Sequence, residues 1–245
     1  MMEKVFEKPK YIMDVTHGFC PGCMHGIATS LVMQTIDKFE LGEKSVIVWP
    51  VGCGPLGGFT TEVNFILAAH GRAPAVATGV KRSSKETFVI TYQGDGDLAA
   101  IGTAETIHAA NRGENITVIF VNNTTYGMTG GQMAPTTMLG QTTTTTQSGR
   151  SIELQGAPIK MAEVIATLEA PKYVARFSLH DAANVLKAKK GIEKAFQVNL
   201  NGGYSFVELI SNCPTNWKMT PEQTVKQIVE HNLKVFPIGV FKEVE

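Results

Sequence analysis

Five short apolar stretches rich in β-branched residues punctuate the chain, at residues 46–49, 88–92, 116–121, 173–177 and 204–210. Runs of this length without polar alternation are the pattern of strands buried on both faces of a parallel sheet. Between them lie stretches with helical spacing of apolar positions, at 23–38, 97–111, 181–195 and 221–233. The last opens with Thr220 ahead of Pro221, an N-cap hydroxyl before a residue suited to the first helical turn. Strand and helix in alternation predict an α/β fold with a doubly wound, mostly parallel sheet. Such sheets collect ligands beyond the carboxyl ends of their strands, so the loops beginning at Gly52, Gly94, Asn122 and Asn212 are expected along one edge.

One stretch follows neither period. Residues 135–150 are threonine-rich and read either as an exposed linker or as an ordered loop over a site; periodicity leaves both open. At 245 residues the chain can bury a full core, and a single domain over residues 1–245 is expected. Lysine plus arginine equals aspartate plus glutamate at 22 each, with no run of like charge. That balance argues against nucleic acid or an anionic membrane as partner and leaves small molecules and proteins. The first fifteen residues lack the apolar segment of an export signal, and no stretch reaches the roughly 18 apolar residues of a membrane span, so a cytoplasmic location is expected. In that setting four cysteines point to a metal, a cluster or a catalytic thiol rather than to disulfides.

The strand at 88–92 is followed by Gly94-Asp95-Gly96-Asp97, a helix, another apolar strand and Asn122-Asn123. Asp95 and Asn123 are 28 residues apart, the length of a strand–helix–strand unit that returns the chain to a neighbouring strand end. Magnesium takes six oxygens, few of them from protein when a phosphate ligand is present. Asp95 can supply a carboxylate oxygen, Asn123 an amide oxygen and Thr125 its backbone carbonyl. Gly94 and Gly96 allow close backbone approach, and the N–H groups opening the next helix face an anion. A Gly-Asp-Gly triplet alone is an ordinary turn. An EF-hand is excluded, because its loop needs acidic or amide oxygens at alternating positions, a central glycine and a bidentate glutamate at the twelfth, whereas Leu98 follows Asp97 and the twelfth residue is Thr106.

The cysteines fall into three contexts: Cys20-Pro21-Gly22-Cys23 at a helix start, Cys53 after the first strand, and Asn212-Cys213-Pro214 after the last. A thioredoxin-like pair would follow an early strand, and none is evident before Cys20. A structural zinc site usually pairs two CxxC knuckles, whereas the third and fourth cysteines here are single. Cys53 and Cys213, each taken alone, read as buried thiols. Together the four make the thiolate set of a [4Fe-4S] cluster.

The Gly-Asp-Gly, helix, strand, Asn-Asn arrangement resembles the thiamine-diphosphate motif. Its continuation, Tyr126-Gly127-Met128-Thr129-Gly130-Gly131-Gln132 with Pro135-Thr136-Thr137, resembles the 2-oxoacid:ferredoxin oxidoreductases. The same holds for the cysteine contexts, with His25-Gly26 after the CxxC, and for Ala69-His70-Gly71-Arg72. The resemblance runs from Phe19 to Pro214 and is to the beta, thiamine-diphosphate-binding subunit. It implies Mg²⁺ at Asp95, Asn123 and Thr125 and a [4Fe-4S] cluster at Cys20, Cys23, Cys53 and Cys213. It further implies cofactor contacts from Val51, Gly52, Cys53, Gly54, Ala69, His70, Gly71, Arg72, Gly94, Gly96, Asp97, Gly127 and Met128. His70 and Arg72 are also the candidate catalytic groups, as donors to phosphate or to a substrate carboxylate. His17, His25, His108 and His180 read as core or surface residues.

By the same resemblance, the reaction is the oxidative decarboxylation of a 2-oxoacid with coenzyme A to acyl-CoA and CO₂, electrons leaving through the cluster to ferredoxin. The pyrimidine-binding domain is then expected on an alpha-type partner subunit, with a ferredoxin-like subunit as a further partner. Cys53-Gly54-Pro55-Leu56-Gly57-Gly58 departs from the Cys-Ser of many relatives and bears on the substrate. Branched-chain 2-oxoacids or 2-oxoglutarate are expected from the segments 50–59 and 68–81. Two other readings stay open: a non-oxidative thiamine-diphosphate decarboxylase or synthase subunit, and a non-catalytic iron–sulfur or zinc protein.

Overall fold

Among the described residues, nine strands run in chain order through the computed structural model: β1 (Ser45–Trp49), β2 (Asn64–Leu67), β3 (Phe88–Gly94), β4 (Thr117–Asn122), β5 (Thr125–Tyr126), β6 (Gln132–Met133), β7 (Tyr173–Ser178), β8 (Ser205–Ile210) and β9 (Gly239–Glu243). The structure describes residues 7–244; the first six residues, part of the N-terminal stretch read above for an export signal, and residue 245 lie outside it. The α-helices are α1 (His25–Lys38), α2 (Pro55–Gly58), α3 (Ala73–Ser83), α4 (Thr103–Asn111), α5 (Ile152–Gln155), α6 (Met161–Ala166), α7 (Ala182–Leu200), α8 (Pro214–Trp217), α9 (Pro221–Gln227) and α10 (Leu233–Val235).

Seven strands pair in the order β2-β1-β3-β4-β8-β7-β9. All neighbours are parallel except β9, which is antiparallel to β7. The strands read as continuous apolar runs because both faces are covered. Ile47, Trp49, Ile90, Ile119, Val207 and Leu209 join a buried cluster with α1 and α7 residues such as Leu31, Ile36, Ile192 and Phe196. The alternate positions Val48, Val89, Val118, Phe120 and Phe206 join another with Ala77 of α3, Ala109 of α4 and Met161 of α6. The predicted doubly wound sheet is therefore observed, with period-two alternation sorting side chains between two helical layers rather than between core and water.

Departures from the predicted elements have local causes. The predicted helix over 97–111 splits into a π-helical turn (Gly96–Ile101) and α4, broken at Gly102. A Cβ at Gly102 would lie 2.5 Å from the Gly71 carbonyl oxygen, so two backbones touch there and only glycine fits. Helix α1 starts at His25 because the Cys23 N–H closes a turn onto the Cys20 carbonyl at 3.0 Å. The Thr220 N-cap is observed as a capping box with Gln223, but the helix behind it passes into a π turn over Ile228–Asn232. Strands β2, β5, β6 and β9 go beyond the five predicted, β5 and β6 forming a separate two-stranded pair. In the main sheet, β2 is four residues with Phe65, Ile66 and Leu67 exposed at the edge, and β9 carries the polar Lys242 and Glu243.

The threonine-rich stretch is an ordered loop, not a linker. Arg150 is buried within it and donates to the carbonyls of Pro135 and Thr137, both at 2.7 Å, and to those of Gln155, Gly156 and Ala157. No helix among the described residues is long and apolar enough to cross a membrane.

Candidate cofactor and cluster site

After β1 the chain turns to β2 on one side; after β3 it proceeds to β4 on the other. Loops part at that switch point, and beyond the carboxyl ends of β1 and β3 they leave a cleft. Its wall is built from residues 50–54, His25, His70, Tyr92, 94–97, Asn123 and 125–129. Three of the four predicted loops meet here, and the fourth, with Cys213, adjoins through Gly127.

Asp95 directly follows β3 and is 2% exposed. Its carboxylate accepts the Gly96 N–H at 2.9 Å and the Thr136 hydroxyl at 2.6 Å. Burial raises the carboxyl to about 7 against the opposing pull of those hydrogen bonds, and no lysine or arginine among the described residues stands beside it. A desolvated carboxylate without a countercharge fits a divalent cation. Asn123 and Thr125 face the same cleft because Thr124 between them has left-handed backbone, φ 59°. That strained turn is held from three sides. Thr124 N–H donates to Asn122 Oδ1 at 3.2 Å, its carbonyl accepts the Thr137 hydroxyl at 2.6 Å, and the Trp217 indole donates to the Asn123 carbonyl at 3.1 Å.

His70 lies on the cleft wall with Nδ1 2.5 Å from Asp97 Oδ1. Asp97 also accepts the Gly71 N–H at 2.6 Å and the Gln93 amide at 2.7 Å. Its carboxyl is raised by burial and held back by these three donors. The carboxylate of Asp97 thus meets His70 while Asp97 also lines the cleft wall, where cofactor contact was expected. Arg72 is turned out of the cleft: its guanidinium pairs with Glu105, and neither it nor Ala69 or Gly71 forms part of the wall. The other expected contacts, Val51, Gly52, Cys53, Gly54, Gly94, Gly96, Gly127 and Met128, all line it.

The fold brings the four cysteines together from three distant segments. The point a Gly127 Cβ would occupy is 2.9 Å from the Cys53 sulfur and 3.9 Å from that of Cys213. Burial, joined by the neighbouring thiols, since charge on one disfavours charge on the next, pushes the Cys23 thiol up to about 11 and Cys53 up to about 12. Such a set stays ionised only when iron or another cation compensates it. Among the described residues no three His, Cys, Asp or Glu side chains converge on a single ion. Four cysteines from these segments match in number the thiolates that a [4Fe-4S] cluster takes.

Sequence reading missed the side chains that tie these loops together. Asn216 donates to the Gly127 carbonyl at 2.8 Å and to the Cys213 sulfur at 3.2 Å. Asn212 accepts the Met24 N–H at 3.0 Å and donates to the Gly22 carbonyl at 3.1 Å, fastening the CxxC loop beside Cys213. Their nearness to Cys213 in sequence was the available signal. His25 is a core residue, as expected, stacked on Phe19 and with Nδ1 3.0 Å from the Tyr92 hydroxyl; burial lowers it to about 4, so it is neutral at physiological pH.

Residues 45–209 match the C-terminal TPP-binding domain of thiamine pyrophosphate enzymes. The chain is 43% identical over 99% of its length to ketoisovalerate oxidoreductase subunit VorA of Methanothermobacter thermautotrophicus, of which it spans only 53%. It is 34% identical to 2-oxoglutarate synthase subunit KorB of Archaeoglobus fulgidus, over 92% of this chain and 84% of the relative. Its structure superposes on a 2-oxoglutarate:ferredoxin oxidoreductase chain from Magnetococcus marinus with a TM-score of 0.83 at 25% identity, covering 98% of this chain and 86% of the other. With the diphosphate motif at a sheet switch point and relatives matched along nearly its whole length, the chain belongs to the thiamine-diphosphate-binding subunits of the 2-oxoacid:ferredoxin oxidoreductase family.

Proposed function

We propose that the chain is the beta subunit of a cytoplasmic enzyme that oxidatively decarboxylates a branched-chain 2-oxoacid with coenzyme A and passes electrons through a [4Fe-4S] cluster to ferredoxin. The chain spans about half the length of the VorA relatives it matches. In this reading the pyrimidine-binding domain is carried by an alpha-type subunit, with a ferredoxin-like subunit as a further partner. Residues 7–244, with their seven-stranded sheet, act as one domain in this reading. An apolar rim of Val51, Met128 and Ile101, with Phe59, Phe65 and Leu67 at the β2 edge, is exposed and offers the surface such a partner would cover.

In this reading Asp95, Asn123 and the Thr125 carbonyl hold Mg²⁺, while Gly94, Gly96 and Gly127 let the diphosphate approach the backbone. Thiamine diphosphate, when bound, supplies the electron sink for decarboxylation. Asp97 accepts from His70 Nδ1 and so fixes the imidazole, leaving its other nitrogen to face the cleft. The four cysteines hold the cluster in this reading, and the Cys53 sulfur, 2.9 Å from where a Gly127 Cβ would stand, supports a location for it beside the cofactor loop.

The observation that carries the substrate class is the cleft wall itself. It presents Val51, Pro50 and Met128 with no lysine or arginine among the described residues, and Arg72 is engaged by Glu105. A second carboxylate, as in 2-oxoglutarate, would meet no lysine or arginine among the described residues of this wall, whereas an aliphatic group meets apolar surface. The greater identity to VorA than to KorB points the same way. The test is a panel of 2-oxoacids supplied to the assembled enzyme with coenzyme A and a viologen acceptor. A kcat/KM for ketoisovalerate well above that for 2-oxoglutarate is expected; the reverse order overturns the substrate reading.

A further inference from the structure

Below the cofactor cleft, and outside its wall, lies a buried polar chain. Glu208 in the middle of β8 is fully buried. Its Oε2 accepts Arg176 Nε at 2.8 Å and its Oε1 accepts Asn122 Nδ2 at 2.8 Å. Arg176, on β7, also pairs with Glu163 through both terminal nitrogens, so its charge is shared between two carboxylates. Asn122 has only one oxygen to offer, and that oxygen accepts the Thr124 N–H. The order of donors and acceptors along this chain is thus fixed end to end, from the guanidinium to the strained turn between Asn123 and Thr125.

We propose that Glu208 is a positioning residue for the magnesium-holding turn: by accepting from the Asn122 amide nitrogen, it fixes which way that amide faces and so keeps its oxygen beneath the Thr124 N–H. This deepens the reading of Asn123 and Thr125 as Mg²⁺ ligands and rests on it. The polarity argument is specific. In Glu208→Gln the new amide has one oxygen, and the Arg176 guanidinium takes it, because a charge-assisted hydrogen bond is the stronger one. The amide nitrogen then faces Asn122 Nδ2, donor against donor. Rotation of the Asn122 amide relieves that clash but brings its NH₂ group against the Thr124 N–H. Either way a buried donor near the turn is left without an acceptor, and a β-branched residue in left-handed backbone has little reason to stay there.

The same argument predicts its own rescue. In Asn122→Asp combined with Glu208→Gln, the glutamine oxygen accepts from Arg176 and its nitrogen donates to one aspartate oxygen. The other aspartate oxygen accepts from Thr124, and the buried charge is conserved while moving one residue along the chain. A purely structural role for Glu208 gives no reason for this exchange to restore binding.

The experiment is Mg²⁺ titration of thiamine-diphosphate binding to the assembled enzyme, by calorimetry, with cluster absorbance recorded on each preparation. Glu208→Gln is expected to weaken Mg²⁺-dependent binding by about tenfold or more with the cluster spectrum unchanged. The Asn122→Asp, Glu208→Gln pair is expected to return to within a few-fold of the parent. Asn122→Ala, which leaves Glu208 on Arg176, should weaken binding like Glu208→Gln and decides the matter if Glu208→Gln does not fold. Parental affinity in a folded Glu208→Gln or Asn122→Ala protein overturns the proposal, as does a double variant that folds without recovering. Asp95→Ala is the separate check on the parent reading: if it too binds like the parent, the metal site itself is misassigned.

Discussion

Replacing Gly127 with alanine separates a thiol that is free to move from one tied to a cluster. The added Cβ would meet the Cys53 sulfur at 2.9 Å, while its contacts to Asn123 Nδ2 at 3.6 Å and the Cys213 sulfur at 3.9 Å are ordinary. Carbon and sulfur pack no closer than about 3.5–4 Å, so something must yield by more than half an ångström. An unligated Cys53 side chain turns aside at small cost. A sulfur bonded to iron does not, and the strain then falls on the cluster and on the 127 backbone, which Asn216 pins through its carbonyl. Overpacking of this kind costs about 1–3 kcal/mol, which corresponds to cluster retention weakened by roughly one to two orders of magnitude. The assay is the rate of iron release to a chelator under anaerobic conditions, compared with Gly79→Ala, whose Cβ would meet nothing within 4 Å. Faster loss in Gly127→Ala alone is expected. Identical release from both variants and the parent would show that Cys53 carries no iron at this site.

Asp95→Ala should abolish Mg²⁺-dependent thiamine-diphosphate retention while leaving the cluster spectrum intact, a pairing checked by cofactor release on denaturation and visible absorbance of the same sample. Cys213→Ser, remote in sequence from the CxxC pair, should lose or convert the cluster as fully as Cys20→Ser does; unchanged iron content would make Cys213 a bystander. Arg150→Met should destabilise the threonine-rich loop by about 2–4 kcal/mol through orphaned carbonyls, seen as a lower Tm and as proteolytic cleavage within 135–157. The chain purified without partner subunits should show no 2-oxoacid-dependent dye reduction, and addition of the partners should restore it; sustained turnover by the lone chain would refute the division of the site between subunits.

The central strands were legible because burial on both faces leaves one uninterrupted apolar signature, from Phe88 through Tyr92 and from Tyr204 through Ile210. Edge strands escape that rule. Phe65, Ile66 and Leu67 of β2 look like any exposed loop until their pairing with β1 is seen. Asp95, Asn123 and Thr125 could be placed from spacing and resemblance, since a strand–helix–strand unit returns the chain to the same edge. The protein partners of Asp97 and Arg72 could not, because proximity in sequence does not tell that a carboxylate will meet a histidine 27 positions away, nor a guanidinium a glutamate 33 positions away. Glu208 was still less visible: in sequence it is one acid inside the strand 205–210, and only the pairing of β8 with β4 and β7 brings it between Asn122 and Arg176.

The proposed function requires one chain to carry both a thiamine-diphosphate site and a four-cysteine cluster. Its most direct test is chemical analysis of the anaerobically purified enzyme and of the Cys213→Ser variant prepared alongside it. Iron, acid-labile sulfide and acid-released thiamine diphosphate are measured on both. A variant that has lost one [4Fe-4S] complement per copy of this chain, with thiamine diphosphate still present in both preparations, is the predicted result. Equal iron in parent and variant, zinc in place of iron, or no thiamine diphosphate in the parent would contradict it.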